Sequence, residues 1–256
     1  MKNLTKTILT LALSAGLITL LSTNVSAQQT KKLPAQVLDL GNWKLNIPEG
    51  IKTPCESDEY RQPELQTYSN ENWFYVNRGG NAVVFRAITG GTTTKGSGYP
   101  RSELREMTDN GTKNASWSSE TGTHTLFIDQ SIIHLPVKKP HIVVGQIHDA
   151  NDDIIVFRLE KNKLFVKMGN DKGPVLDENY QLGTRFTMMF KVSNNQTECY
   201  YNEKLKFTYL KAFTGAYFKA GAYVQSSCQG KRKVEGEACD AYGAVEIYKV
   251  WVKHEL

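Results

Sequence analysis

The sequence predicts an all-β domain, an antiparallel sandwich or barrel. Three observations lead there. Short runs rich in β-branched and aromatic residues recur from residue 82 onward, bounded by glycine or asparagine. No apolar pattern of 3.6-residue period is sustained, apart from a turn or two just after the N-terminal apolar segment. The runs follow one another without crossover helices, so the pairing they allow is antiparallel. Composition agrees: 40% hydrophobic and 22% charged residues among 256, with 20 glycines and 8 prolines, support a packed core and exclude disorder or a collagen-like array.

In chain order, the first element is an expected export signal over 1–27. Lys2 and Lys6 give it a positive start, an apolar run covers 8–21, and Val25-Ser26-Ala27 offers small residues for cleavage ahead of Gln28. The run is shorter than the roughly 20 residues that span a bilayer, and no cysteine follows it to carry a lipid. The remainder, 28–256, is expected to be one secreted or periplasmic domain, because no linker, composition shift or repeat divides it. Losing the signal removes two lysines and no acid from a chain of formal charge +5. That modest charge, without a dense basic stripe, argues against a nucleic-acid partner. A monomer with no membrane attachment after cleavage is expected.

The strands then follow. Residues 82–88 lie between Gly79-Gly80 and Gly90-Gly91; 123–133 alternates in part; 141–148, 154–159 and 164–168 come at short intervals. Glu160-Lys161-Asn162-Lys163 has the composition of a hairpin loop between the last two. Residues 186–192, 198–201, 206–210, 216–225 and 244–254 complete the series, with Asn194-Asn195 and Asn202-Glu203 at turns.

Four cysteines in an exported chain read as disulfides. Cys228 and Cys239 flank a polar loop that a bridge would close, which leaves Cys55 to pair with Cys199. Four cysteines allow three connectivities, and the sequence does not choose among them. Zinc is disfavoured, since no Cys-x-x-Cys or His-x-x-x-His spacing occurs.

Three segments carry more polar chemistry than a sheet requires. In Arg101-Ser102-Glu103-Leu104-Arg105-Glu106-Met107, the two-residue period puts Arg101, Glu103 and Arg105 on one face, a pattern suited to binding carboxylates. The same run also suits a solvated, charged edge strand. In Val143-Val144-Gly145-Gln146-Ile147-His148, Gln146 and His148 share a face, pairing an amide donor with the side chain that best transfers protons near neutrality. In Tyr217-Phe218-Lys219-Ala220-Gly221-Ala222-Tyr223-Val224-Gln225, an apolar row alternates with Lys219, Gly221, Tyr223 and Gln225. The glycine in the polar row reads as room left for a ligand.

Together, in this order, these segments resemble the three signature segments of the alginate lyases of polysaccharide lyase family 7. The resemblance covers the strand-rich region from about residue 38 to the C-terminus. It implies a β-jelly roll whose concave face forms a cleft for alginate, an acidic polysaccharide. By position it implies Arg101, Gln146, His148 and Tyr223 as the catalytic set, with Glu103, Arg105, Lys219 and Gln225 as supports or substrate-binding contacts. Isoleucine at 147 is associated in that family with activity on guluronate. No metal or cofactor is implied.

The chemistry of those side chains is consistent with β-elimination. The proton on C5 of a uronate is weakly acidic because the neighbouring carboxylate resists further negative charge. Arg101 and Gln146 would neutralise that carboxylate, His148 would take the proton, and Tyr223 would protonate the departing O4. A hydrolase needs two carboxylates across the scissile bond, and Glu103 and Glu106 fall on opposite strand faces. A non-catalytic jelly roll that binds acidic polysaccharide is the remaining alternative, and it needs no histidine–tyrosine pair.

Overall fold

The computed structural model describes residues 32–255. The expected export signal lies outside them. Sixteen strands run in order: β1 (Trp43–Ile47), β2 (Asp58–Tyr60), β3 (Phe74–Val76), β4 (Val83–Ile88), β5 (Arg101–Thr108), β6 (Lys113–Asn114), β7 (Thr123–His134), β8 (His141–His148), β9 (Asp153–Glu160), β10 (Lys163–Met168), β11 (Asp171–Asp177), β12 (Arg185–Ser193), β13 (Gln196–Tyr201), β14 (Lys204–Leu210), β15 (Tyr217–Val224) and β16 (Tyr242–Glu255). The described helices are three single 3-10 turns, and none is long and apolar enough to cross a membrane.

The strands form two antiparallel sheets packed face to face as a jelly roll. One has the order β11-β10-β9-β8-β15-β5-β1-β2, with β6 added beside β5; the other has the order β14-β13-β12-β7-β16-β4-β3. Neighbours such as β8, β15 and β5 are far apart in sequence, so this topology brings the three polar segments side by side. The core follows from the alternation. Phe218, Ala220, Ala222 and Val224 of β15 are all fully buried on the inward face. Phe157 of β9 meets Phe190 of β12 edge to face across the two sheets, with centroids 5.1 Å apart.

Turn chemistry fixes the register. Asn194 and Asn195 have φ of 50° and 60°, and Asn202 and Glu203 have 48° and 64°, the left-handed pairs that two-residue hairpins need. Both hairpins fall where the sequence puts them. On β8, a bulge between Val143 and Gly145 relative to β9 shifts the alternation. Ile142 and Val144 point inward before it, Ile147 after it, and Gln146 and His148 are delivered to the outer face.

The Cys228–Cys239 bridge is present. The expected pairing of Cys55 with Cys199 is not: both are free thiols. Cys199 lies inside the sandwich on β13, whereas Cys55 is exposed in a loop, so neither can reach the other. Gly221 also departs from expectation. Its φ is +139°, and a Cβ there would stand 2.5 Å from the Ser102 carbonyl oxygen and 2.9 Å from Glu103 Cα. The glycine admits the backbone of β5 rather than a ligand.

Candidate active site

The outer face of the first sheet floors a cleft of about 740 Å³. Register builds it: Lys219 of β15 sits opposite Gln146 of β8 on one side and Arg105 of β5 on the other, and Tyr223 sits opposite Arg101. Arg101, Arg105, Gln146, His148, Lys219 and Tyr223 all line the cleft. Two expected site residues do not. Glu103 is buried beneath it, at 1% exposure. Gln225 lies just past the end of β15, where its Oε1 accepts from Arg158 Nη1 at 3.0 Å.

Glu103 is the hub. Its Oε2 receives Arg101 Nη1 at 2.9 Å and Lys219 Nζ at 2.5 Å, and its Oε1 receives Gln146 Nε2 at 2.5 Å. Burial alone would push this carboxyl up, but the Lys219 and Arg101 charges outweigh it and hold Glu103 below the usual carboxylate range. Burial, then the nearby Arg101 charge, pushes Lys219 down to about 8. One carboxylate beneath two cations leaves the floor positive, and Arg105 adds to it. The arrangement fixes guanidinium, ammonium and amide donors before any ligand arrives.

His148 is held neutral with one ring nitrogen open. Its Nδ1 lies 2.6 Å from the Asp149 carbonyl oxygen, an acceptor only, so the neutral ring carries its proton on Nδ1. Nε2 is left with a free lone pair. Burial, followed by the Lys219 charge, lowers its pKa from the ordinary 6.5, which keeps the ring neutral at working pH.

Five contacts lie beyond the sequence reading. The Tyr217 hydroxyl lies 3.1 Å from His148 Nδ1, and the Arg105 guanidinium covers the Tyr217 ring at 3.8 Å. The Arg101 guanidinium covers the Tyr223 ring at 3.8 Å. Ser97 Oγ joins both members of that pair, accepting from Arg101 Nη2 at 3.0 Å and lying 3.1 Å from the Tyr223 hydroxyl. Tyr217 shares a strand face with Lys219 and was findable by the two-residue period. Ser97 sits in a glycine-flanked loop with no periodic signal. Among the described residues, no group of three or more His, Cys, Asp or Glu side chains is arranged to hold a metal ion.

The chain matches the sequence profile of the alginate lyase family over residues 38–254. It is similar to many solved structures, among them the following two. The first is alginate lyase AlgAT5 from polysaccharide lyase family 7, with 50% identity, 88% of this chain and 100% of that chain covered, and a TM-score of 0.83. The second is the alginate lyase from Corynebacterium sp., with 44% identity, 88% and 99% coverage, and a TM-score of 0.83. An alginate lyase of Klebsiella pneumoniae is 25% identical over 166 residues, a match spanning 55% of this chain and about half (53%) of that protein. Nearly the whole described sandwich, with all three polar segments, falls inside the matched region, and the chain belongs to the alginate lyases of polysaccharide lyase family 7.

Proposed function

We propose that this protein is an exported alginate lyase that cleaves by β-elimination and prefers guluronate. The observation that carries the proposal is one cleft holding a positive floor, a neutral histidine with a bare Nε2, and a tyrosine hydroxyl. Arg101 and Gln146 receive the C5 carboxylate and spread its charge as C5 loses its proton to His148 Nε2. The electron pair from the C5–H bond forms the C4–C5 double bond, the C4–O4 bond breaks, and Tyr223 gives its proton to O4. The Arg101 guanidinium, stacked over the Tyr223 ring at 3.8 Å, fixes where that phenol is presented. In guluronate, the C5 proton and O4 leave from opposite sides of the ring, which suits a separate base and acid. Ile147 is fully buried behind Gln146 and His148, so its bearing on preference runs through how those two side chains are seated. Export is supported by the pattern of 1–27 and by the Cys228–Cys239 bridge, a bond kept in oxidising compartments.

Ultraviolet monitoring of the unsaturated product on separate polyguluronate and polymannuronate blocks tests this reading. Wild type should turn over polyguluronate faster. His148→Ala and Tyr223→Phe should each lower kcat by about 100- to 10,000-fold, the range for losing a general base or acid. Binding of polyguluronate with no product in wild type would instead identify a non-catalytic binding module.

A further inference from the structure

We propose that a groove beside the Tyr223 end of the cleft is a second uronate-binding subsite, in which Arg232 and Lys231 receive a carboxylate of the same polysaccharide chain. The inference rests on the alginate reading and extends it. The groove encloses about 750 Å³, as much as the catalytic cleft, and the two share Gly96 and Ser97. Ser97 is the residue whose hydroxyl touches both Arg101 and Tyr223, so the groove borders the reacting end of the cleft.

The walls suit an acidic sugar. They are hydroxyl, amide and backbone groups of Thr92, Thr93, Ser227 and Gln229, with Lys231 and Arg232 as the charges and no carboxylate. Among the described residues, neither Lys231 nor Arg232 has an ion-pair partner, in contrast to Lys233 next to them, which pairs with Glu235 at 3.4 Å. The wall bearing them is fixed. The Cys228–Cys239 bridge closes its base. Gln229 Nε2 donates to the Gly90 carbonyl at 3.0 Å, and Cys228 N donates to the Thr89 carbonyl at 3.2 Å. Gly98 lets the Arg232 stem lie against the opposite loop, since a Cβ there would stand 2.4 Å from Arg232 Cγ. The Arg232 guanidinium lies 5.9 Å from the Tyr99 ring, which meets Tyr223 edge to face at 6.4 Å. A polyanion with one carboxylate per sugar therefore meets two exposed cations without ion-pair partners, carried on a braced wall next to the cleft.

The test compares polyguluronate with a guluronate trisaccharide, using wild type, Arg232→Lys, Arg232→Ala and the double variant Lys231→Ala/Arg232→Ala. The ratio of polymer to trisaccharide kcat/KM should fall about three- to ten-fold in the double variant, as two lost exposed ion contacts imply. The fall should come through KM, Arg232→Lys should restore most of it, and rising salt should erase it. An unchanged ratio, or equal losses on both substrates, overturns the subsite. Calorimetric binding of polyguluronate in a His148→Asn background gives a second readout, where the double substitution should weaken binding by the same factor. If wild type yields no unsaturated product, the lyase reading fails, and the calorimetric comparison decides the subsite by itself.

Discussion

His148 and Lys219 set opposite limits on the site. As the proposed base His148 would act only while neutral, and its pKa lies below the ordinary 6.5, so kcat/KM should rise through that lower value and reach its plateau by neutrality. Lys219, pushed down to about 8, loses its proton as pH climbs past that point, and Glu103 then loses its strongest partner. Activity should fall there, and Lys219→Arg should move that alkaline limb upward; an unmoved limb would assign it to another group. Glu103 itself contributes to folding. Its carboxyl is held below the ordinary 4.5, so its ion pairs add stability that is fully present above that value and lost as pH falls through the native pKa. Glu103→Gln leaves Arg101 and Lys219 buried without an anion, and at pH 7 should cost about 3–5 kcal/mol. The gap between variant and wild type, followed by denaturant melts, should close on acidification.

Such residues depend on the strands that carry them, and there Gly221 is the sensitive point. Its φ of +139° is one that L side chains rarely adopt, and the added methyl group would meet the Ser102 carbonyl. Gly221→Ala should force β15 away from β5, separating Tyr223 from Arg101, its register partner. Displacements of about 1 Å at reacting groups can cost 100-fold, so kcat should drop at least ten-fold in protein that remains folded; near-wild-type kcat would contradict the close-approach role. The same strands show what a sequence discloses. Those from β7 to β10 and from β12 to β16 declare themselves by alternation and by asparagine turns. β1 alternates Trp43, Leu45 and Ile47 with Lys44 and Asn46, a signal legible in principle but only five residues long. β2 and β3 have three residues each, and β11 contains Gly173 and Pro174, which only an edge strand tolerates. At the site, period-two reasoning brings Arg101, Arg105, Gln146, His148, Lys219 and Tyr223 to one face. It fails for Gln225 because the strand ends at Val224, and for Ser97 because loop contacts have no period.

The two faces of one sheet have different duties: the outward face carries the cleft together with its Glu103 hub, and the inward face carries the apolar core. Outward, β8, β15 and β5 present the cleft; inward, the same sheet presents a wall of apolar side chains to its partner. Glu106 ties the sheets at one edge. Its Oε1 lies 2.5 Å from His254 Nε2 on β16, and its Oε2 receives the Phe218 amide at 2.8 Å and Trp117 Nε1 at 3.0 Å. Phe157 and Phe190 join them through the apolar interior. Both rings are fully buried, so Phe157→Ala should cost about 3–5 kcal/mol, from lost burial and the cavity left behind. For a domain of this size, that lowers Tm by roughly 10 °C. Phe157 lies in the core, and the cleft lining is drawn from other side chains. Well below the melting transition, kcat on polyguluronate should therefore stay within about two-fold of wild type, since the positions of Arg101, His148 and Tyr223 are set by strand pairing and by the Glu103 hub. A variant that kept its Tm, or that lost kcat while fully folded, would mean that the two faces of the sheet are not independent.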